Sequence, residues 1–179
     1  PLDQIAPANV DKLGVAWRYD SGELRGQAST MYTSPLVIDG VLYGLSPKLV
    51  AFALDAATGS ELWRYDPKVA GAAQRGLMYW PKRKTIFFTA ANELIALNAT
   101  DGTVVSAFGQ DGRLDLRPAG AARSYLAVTV PGVVYEDNLI FGFSTTEDEH
   151  ALPGSIRSYS AADGTLQWQF DAIPKIGDP

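Results

Sequence analysis

The 179-residue sequence has no cysteine, one histidine and two methionines. Without thiols there is neither a disulfide framework nor a thiolate metal site, and redox compartment cannot be read from sulfur. A lone imidazole, His150, excludes a multi-histidine metal site, and its polar surroundings make it a solvated loop residue. No apolar run approaches the roughly 20 residues that span a bilayer. Lys and Arg form no run, and the net charge is −5, which argues against nucleic acid or an anionic membrane as partner. A phosphate-binding glycine loop is also missing: Gly109-Gln110-Asp111-Gly112 follows no helix start and reads as a turn.

What the chain does have is 46% hydrophobic and 20% charged residues, with 17 Gly and 11 Pro. That composition supports one globular domain with a core. Val, Ile, Tyr, Phe and Trp cluster in short runs between turn residues, the pattern of an all-β fold. Residues 1–12 read as an ordered leader with a short helical turn at 7–12. Ser34–Gly44 reads as a hairpin whose Asp39-Gly40 pair suits the positive φ angles of a type I′ turn. Strands are expected at Leu49–Leu54 and Glu61–Tyr65, then at Leu77–Tyr79, Thr85–Ala90, Glu93–Asn98 and Thr103–Ala107. A third set is expected at Leu126–Val130 or Val133–Tyr135, then Leu139–Ser144, Ser155–Ser160 and Leu166–Asp171.

One unit recurs along the chain. Residues 53–67 (ALDAATGSELWRYDP) and 158–171 (SYSAADGTLQWQFD) each place a Trp four residues after a turn glycine, Trp63 after Gly59 and Trp168 after Gly164. A third copy at 96–108 keeps Gly102 but has Ser106 at the Trp position, with Phe108 as a substitute. Leu13–Asp20, containing Trp17, matches the second half alone. The spacing is 43 residues from Gly59 to Gly102 and 62 from Gly102 to Gly164, so one repeat carries an insertion. A period of about 40–45 residues with four strands per unit is that of β-propeller blades, sheets that bury their faces only by stacking on one another. The tryptophans then read as packing staples, each indole N–H reaching a carbonyl of the next blade.

The unit Ala-x-Asp-x-x-Thr-Gly-x-x-x-Trp resembles the tryptophan-docking motif of the pyrroloquinoline quinone (PQQ) dependent dehydrogenases. Five further stretches are similar to that family: Leu2–Val10 running into Ala16-Trp17, Ser34–Tyr43, Arg75-Gly76 before Tyr79-Trp80, Phe108–Arg113, and Ser144–Glu147 before Pro153-Gly154. They span nearly the whole chain and look most like the glucose and polyol branch. The resemblance implies an eight-bladed propeller of four-stranded antiparallel blades, of which about three are present here as a partial propeller. The expected division is 1–20 as leader and ring-closing strand, then blades at 30–67, 75–108 and 124–171. Pro1 in place of Met, and Pro179 close after a strand, lead to the expectation that the chain is part of a longer one.

The same resemblance implies the site residues. Arg75 would contact the quinone oxygens, where a guanidinium stabilises developing negative charge; a solvated loop arginine is the alternative. Glu147 would ligate Ca²⁺, a hard ion suited to carboxylate oxygen, although Glu147-Asp148-Glu149 also reads as a solvated acidic loop. Ser144, Thr145, Thr146 and Thr129 would bind PQQ carboxylates. Many family members have a glutamate near positions 31–34, where this chain has Met31, Tyr32, Thr33 and Ser34; Tyr32 or Thr33 could offer a hydroxyl. The alcohol branch has vicinal cysteines just before Arg-Gly, and here Ala72-Ala73-Gln74 stands instead.

Two functions are therefore weighed. One is the N-terminal part of a PQQ- and Ca²⁺-dependent dehydrogenase that oxidises a sugar or polyol and passes electrons to a quinone acceptor. No catalytic residue is expected within this chain, because the family's catalytic base lies in later blades. By resemblance it would be periplasmic, with membrane association left open. The other is a non-catalytic propeller scaffold of the outer-membrane assembly type, which binds protein chains. In either case the uncovered blade faces would pack on the remaining blades of the parent chain, or drive self-association without them.

Overall fold

The computed structural model describes residues 4–23, 30–69, 74–119, 121, 125–146 and 151–172. Twelve strands among them form three four-stranded antiparallel sheets, each in simple sequential order. The first holds β1 (Leu36–Ile38), β2 (Val41–Leu45), β3 (Ala51–Asp55) and β4 (Glu61–Tyr65); the second β5 (Met78–Trp80), β6 (Thr85–Ala90), β7 (Glu93–Asn98) and β8 (Arg113–Asp115); the third β9 (Val133–Tyr135), β10 (Asn138–Gly142), β11 (Ser155–Ser160) and β12 (Leu166–Asp171). The all-β blade architecture read from the repeat is thus the observed one. The β1–β2 turn has Asp39 at φ 49° and Gly40 at φ 79°, the two positive angles of a type I′ hairpin. A short 3₁₀ turn covers Val10–Lys12.

The middle sheet is packed on both faces, and its sequence says why. Thr85-Ile-Phe-Phe-Thr-Ala90 is buried at every position, the near-continuous apolar run of a strand covered on two sides. Ile86, Phe88, Ile95 and Leu97 join Tyr43, Ala51, Ala53 and Trp63 of the first sheet in one core. Phe87, Leu94 and Ala96 turn the other way, against Leu126, Val128, Leu139, Phe141 and Tyr159. Alternation along β6 and β7 therefore builds two cores from one blade, and each fully buried Phe contributes on the order of 2 kcal/mol.

Two tryptophans act as staples among the described residues, while Trp168 is half-exposed. Trp17 Nε1 donates to the Ala56 carbonyl at 3.1 Å, and Trp63 Nε1 to the Ala99 carbonyl at 2.9 Å. In the second blade Phe108 is fully buried, its ring 3.3 Å from where a Cβ on Gly164 would lie. The neighbouring Gly109 N–H donates to the Asp163 carbonyl at 2.9 Å, in place of the missing indole.

One expectation is corrected. The fourth strand of the second blade is β8, not Thr103–Ala107, where a single Leu97–Val104 bridge forms. Lodging Phe108 between blades takes the chain out of the sheet, and positive φ at Gly109, Asp111 and Gly112 turns it back to pair Arg113–Asp115 with β7. The Trp17 stretch joins no ladder among the described residues; the ring-closing role expected of it is toward a last blade outside this chain. In the third blade the inner strand is Val133–Tyr135, while Ala127 of the earlier segment forms an isolated bridge with Ser144.

Candidate cofactor site

Antiparallel order puts the start of each sheet's first strand and the end of its second strand at the same end of the blade. Ser34, Arg75 and Thr129 precede β1, β5 and β9, and Ser144–Thr146 follow β10, so all of them belong to that end. Main-chain bonds connect them. Ser34 N–H donates to the Arg75 carbonyl at 2.8 Å, and Arg75 N–H donates to the Thr129 carbonyl at 3.2 Å. Ala127 and Ser144 exchange two bonds of 2.9 and 2.7 Å. The first strands of neighbouring blades converge so closely that a Cβ on Gly76 would lie 3.2 Å from both Pro131 Cβ and the Ser34 carbonyl oxygen. Gly76 leaves room for that approach, and the approach brings Arg75 beside Thr129.

Arg75, Ser144 and Thr146 are exposed, while Thr129 and Thr145 are half-buried. Gln74 and Gly76, on either side of Arg75, are buried, so the guanidinium stem leaves the strand toward solvent while its neighbours are held between blades. Glu147 and His150 lie outside the described residues. Of the two hydroxyls at the position where a glutamate is missing, Tyr32 is exposed and Thr33 Oγ1 is buried with no hydrogen-bond partner. A guanidinium and the hydroxyls of Thr129, Ser144, Thr145 and Thr146 stand at this end of the blades, donor types suited to a small polyanion, whereas Thr33 lines the groove beside Trp17 and Phe52. Among the described residues no group of three or more His, Cys, Asp or Glu gathers as a metal site.

The sequence reading missed the residues that tie this end together. Gln74 donates its side-chain amide to the Val128 carbonyl, and Thr89 Oγ1 donates to the same oxygen at 2.9 Å. Gln74 drew notice only for standing where cysteine was expected. A polar residue in a segment that must pack between blades was the available signal.

Sequential four-stranded blades, stapled by tryptophan onto a turn of the next, with this cluster at their inner ends, define a tryptophan-docked β-propeller. The chain belongs to the PQQ-class glucose/ethanol/alcohol dehydrogenase β-propeller domain family, whose profile matches residues 1–178. It is 37% identical to the dehydrogenase subunit of a quinone-dependent alcohol dehydrogenase from Gluconobacter oxydans, over 97% of this chain and 23% of that protein. It is 28% identical to quinoprotein glucose dehydrogenase A from Acinetobacter calcoaceticus, over 96% of this chain and 26% of that one. The crystal structure of quinohemoprotein alcohol dehydrogenase from Comamonas testosteroni superposes with a TM-score of 0.77 at 29% identity, over 99% of this chain and 25% of that chain. The chain thus spans about a quarter of the length of the relatives it matches.

Proposed function

We propose that this chain supplies the N-terminal blades of a PQQ- and Ca²⁺-dependent dehydrogenase that oxidises a sugar or polyol hydroxyl and passes the electrons to a quinone acceptor. The observation that supports it most is the bonded run Ser34–Arg75–Thr129, with Ser144 tied to Ala127 two residues before Thr129. The donor set fits PQQ, an anion bearing carboxylates and a quinone. Thr129, Ser144, Thr145 and Thr146 would donate to its carboxylates. Arg75 would hold the quinone oxygens through its planar, five-donor guanidinium. When bound, PQQ supplies the two-electron acceptor; the chain's part is to bind and orient it. Glu147 would give Ca²⁺ a hard oxygen ligand. Periplasmic residence belongs to the same proposal; among the described residues no helix is long and apolar enough to cross a membrane.

Full-length protein reconstituted with PQQ and Ca²⁺ should reduce an artificial dye with a polyol or aldose. Glu147→Ala should lower the rate by at least about a hundredfold. Activity confined to simple alcohols would replace the substrate class and keep the rest. No PQQ-dependent turnover with polyols, aldoses or alcohols would return the chain to the scaffold reading, which has only the propeller fold in its favour.

A further inference from the structure

Gln74 stands one residue before Arg75, on the way into β5. It is only 4% exposed, and its carboxamide nitrogen donates to the Val128 carbonyl across the gap between the second and third blades. One residue further along both segments, the Arg75 N–H donates to the Thr129 carbonyl at 3.2 Å. No ladder joins the two segments among the described residues, and 3.2 Å is the long end of the N–H···O range. The side-chain bond from 74 to 128 and the main-chain bond from 75 to 129 together set how the two segments are offset. Gln74 is an expensive way to fill this space: its Oε1 is buried without a partner, a cost that an apolar side chain of the same size would avoid. Val128 does not need the amide either, since Thr89 Oγ1 already satisfies its carbonyl at 2.9 Å.

We propose that Gln74 is a positioning residue for Arg75 and Thr129, its buried carboxamide holding the inter-blade offset that presents both to an anionic cofactor. This rests on the PQQ site proposed above. It is tested by titrating the full-length apoprotein with PQQ, followed by cofactor absorbance, beside thermal unfolding of the same apoproteins. Gln74→Met keeps the length and removes the donor, and should weaken PQQ binding about tenfold, equivalent to ~1.4 kcal/mol. Thr89→Val removes the other bond to Val128 without touching the Arg75 segment, and should lower the melting temperature while changing affinity by less than about twofold. Gln74→Glu adds a pH signature. A protonated carboxyl can still donate to Val128 and an ionised one cannot, so its affinity relative to the parent should be near one at low pH and fall as pH rises through the buried carboxyl's raised pKa.

Equal losses of melting temperature in Gln74→Met and Thr89→Val, with affinity unmoved in both while Arg75→Lys weakens binding, would reduce Gln74 to packing and overturn the proposal. Unchanged affinity in Arg75→Lys as well would remove the cofactor site itself, and the proposal with it. If Gln74→Met does not fold, Gln74→Glu decides, and a pH-independent ratio to the parent overturns the assignment.

Discussion

Trp63 and Gly102 illustrate how one residue type depends on another in the next blade. Gly102 has φ 73°, and a Cβ there would sit 2.7 Å from the Trp63 ring, so both backbone and space require glycine. Gly164 has a similar φ of 81°, but its Cβ would meet the Phe108 ring and Leu114 at a looser 3.3 Å. Gly102→Ala should therefore cost roughly 2–4 kcal/mol, combining left-handed strain with overpacking, and Gly164→Ala nearer to ~1–2 kcal/mol. Urea denaturation of the two variants checks this; equal losses would mean that the ring contact is not the cause. The turn glycines were legible in the sequence because their chemistry is local. That Phe108 and the Gly109 N–H together take the place of a tryptophan was only half legible, since the N–H donor belongs to the backbone and has no side-chain signature.

Between elements, the second and third blades are joined at the end opposite the candidate site by the turn between β9 and β10. Asp137 there accepts from Lys82 Nζ at 2.6 Å and Trp80 Nε1 at 2.9 Å. The Lys82 bond, helped by that of Trp80, holds the Asp137 carboxyl below the usual carboxylate range. A group whose pKa is lower folded than unfolded stabilises the fold above its unfolded value and ceases to do so as pH falls through the folded one. The melting temperature should fall on acidification below about pH 4, where carboxylates titrate. Asp137→Asn should lower it at neutral pH and shrink the acid-induced drop. Because the pair is solvent-facing, added salt should weaken the effect, and scanning calorimetry across pH and ionic strength reads all three. The β9–β10 hairpin was legible from alternation and turn residues, but its bond to Trp80 spans 57 residues of sequence and leaves no local trace.

For the molecule as a whole, the middle blade is covered on both faces by its neighbours, and the outward-facing Phe52 and Leu54 of the first blade are buried, with the Tyr19 ring against Phe52. On the third blade Ile156, Trp168 and Phe170 are 42%, 45% and 61% exposed. Trp168 occupies the staple position there without a described blade beyond it. At the other side Trp17, Tyr19, Met31, Leu42, Phe52 and Leu54 line an open groove of about 430 Å³. An apolar face on the third blade and an apolar groove beside the first invite head-to-tail association. The 179-residue chain on its own should show concentration-dependent light scattering, and Phe170→Lys should reduce it. A monodisperse monomer at high concentration would mean that these faces are tolerated by solvent.

The sequence by itself determined the strands other than β8 and the choice of β9, the type I′ hairpin, the blade period and the family, because alternation, turn chemistry and motif spacing act over a few residues. It also supplied the names of the candidate ligands. Only the tertiary structure decided where β8 pairs, what replaces the second blade's tryptophan, and that Arg75, Thr129 and Ser144 meet at one end through Gln74 and its neighbours. Those features depend on which blade lies alongside, and contacts between residues 36 to 57 positions apart are set by packing rather than by local preference.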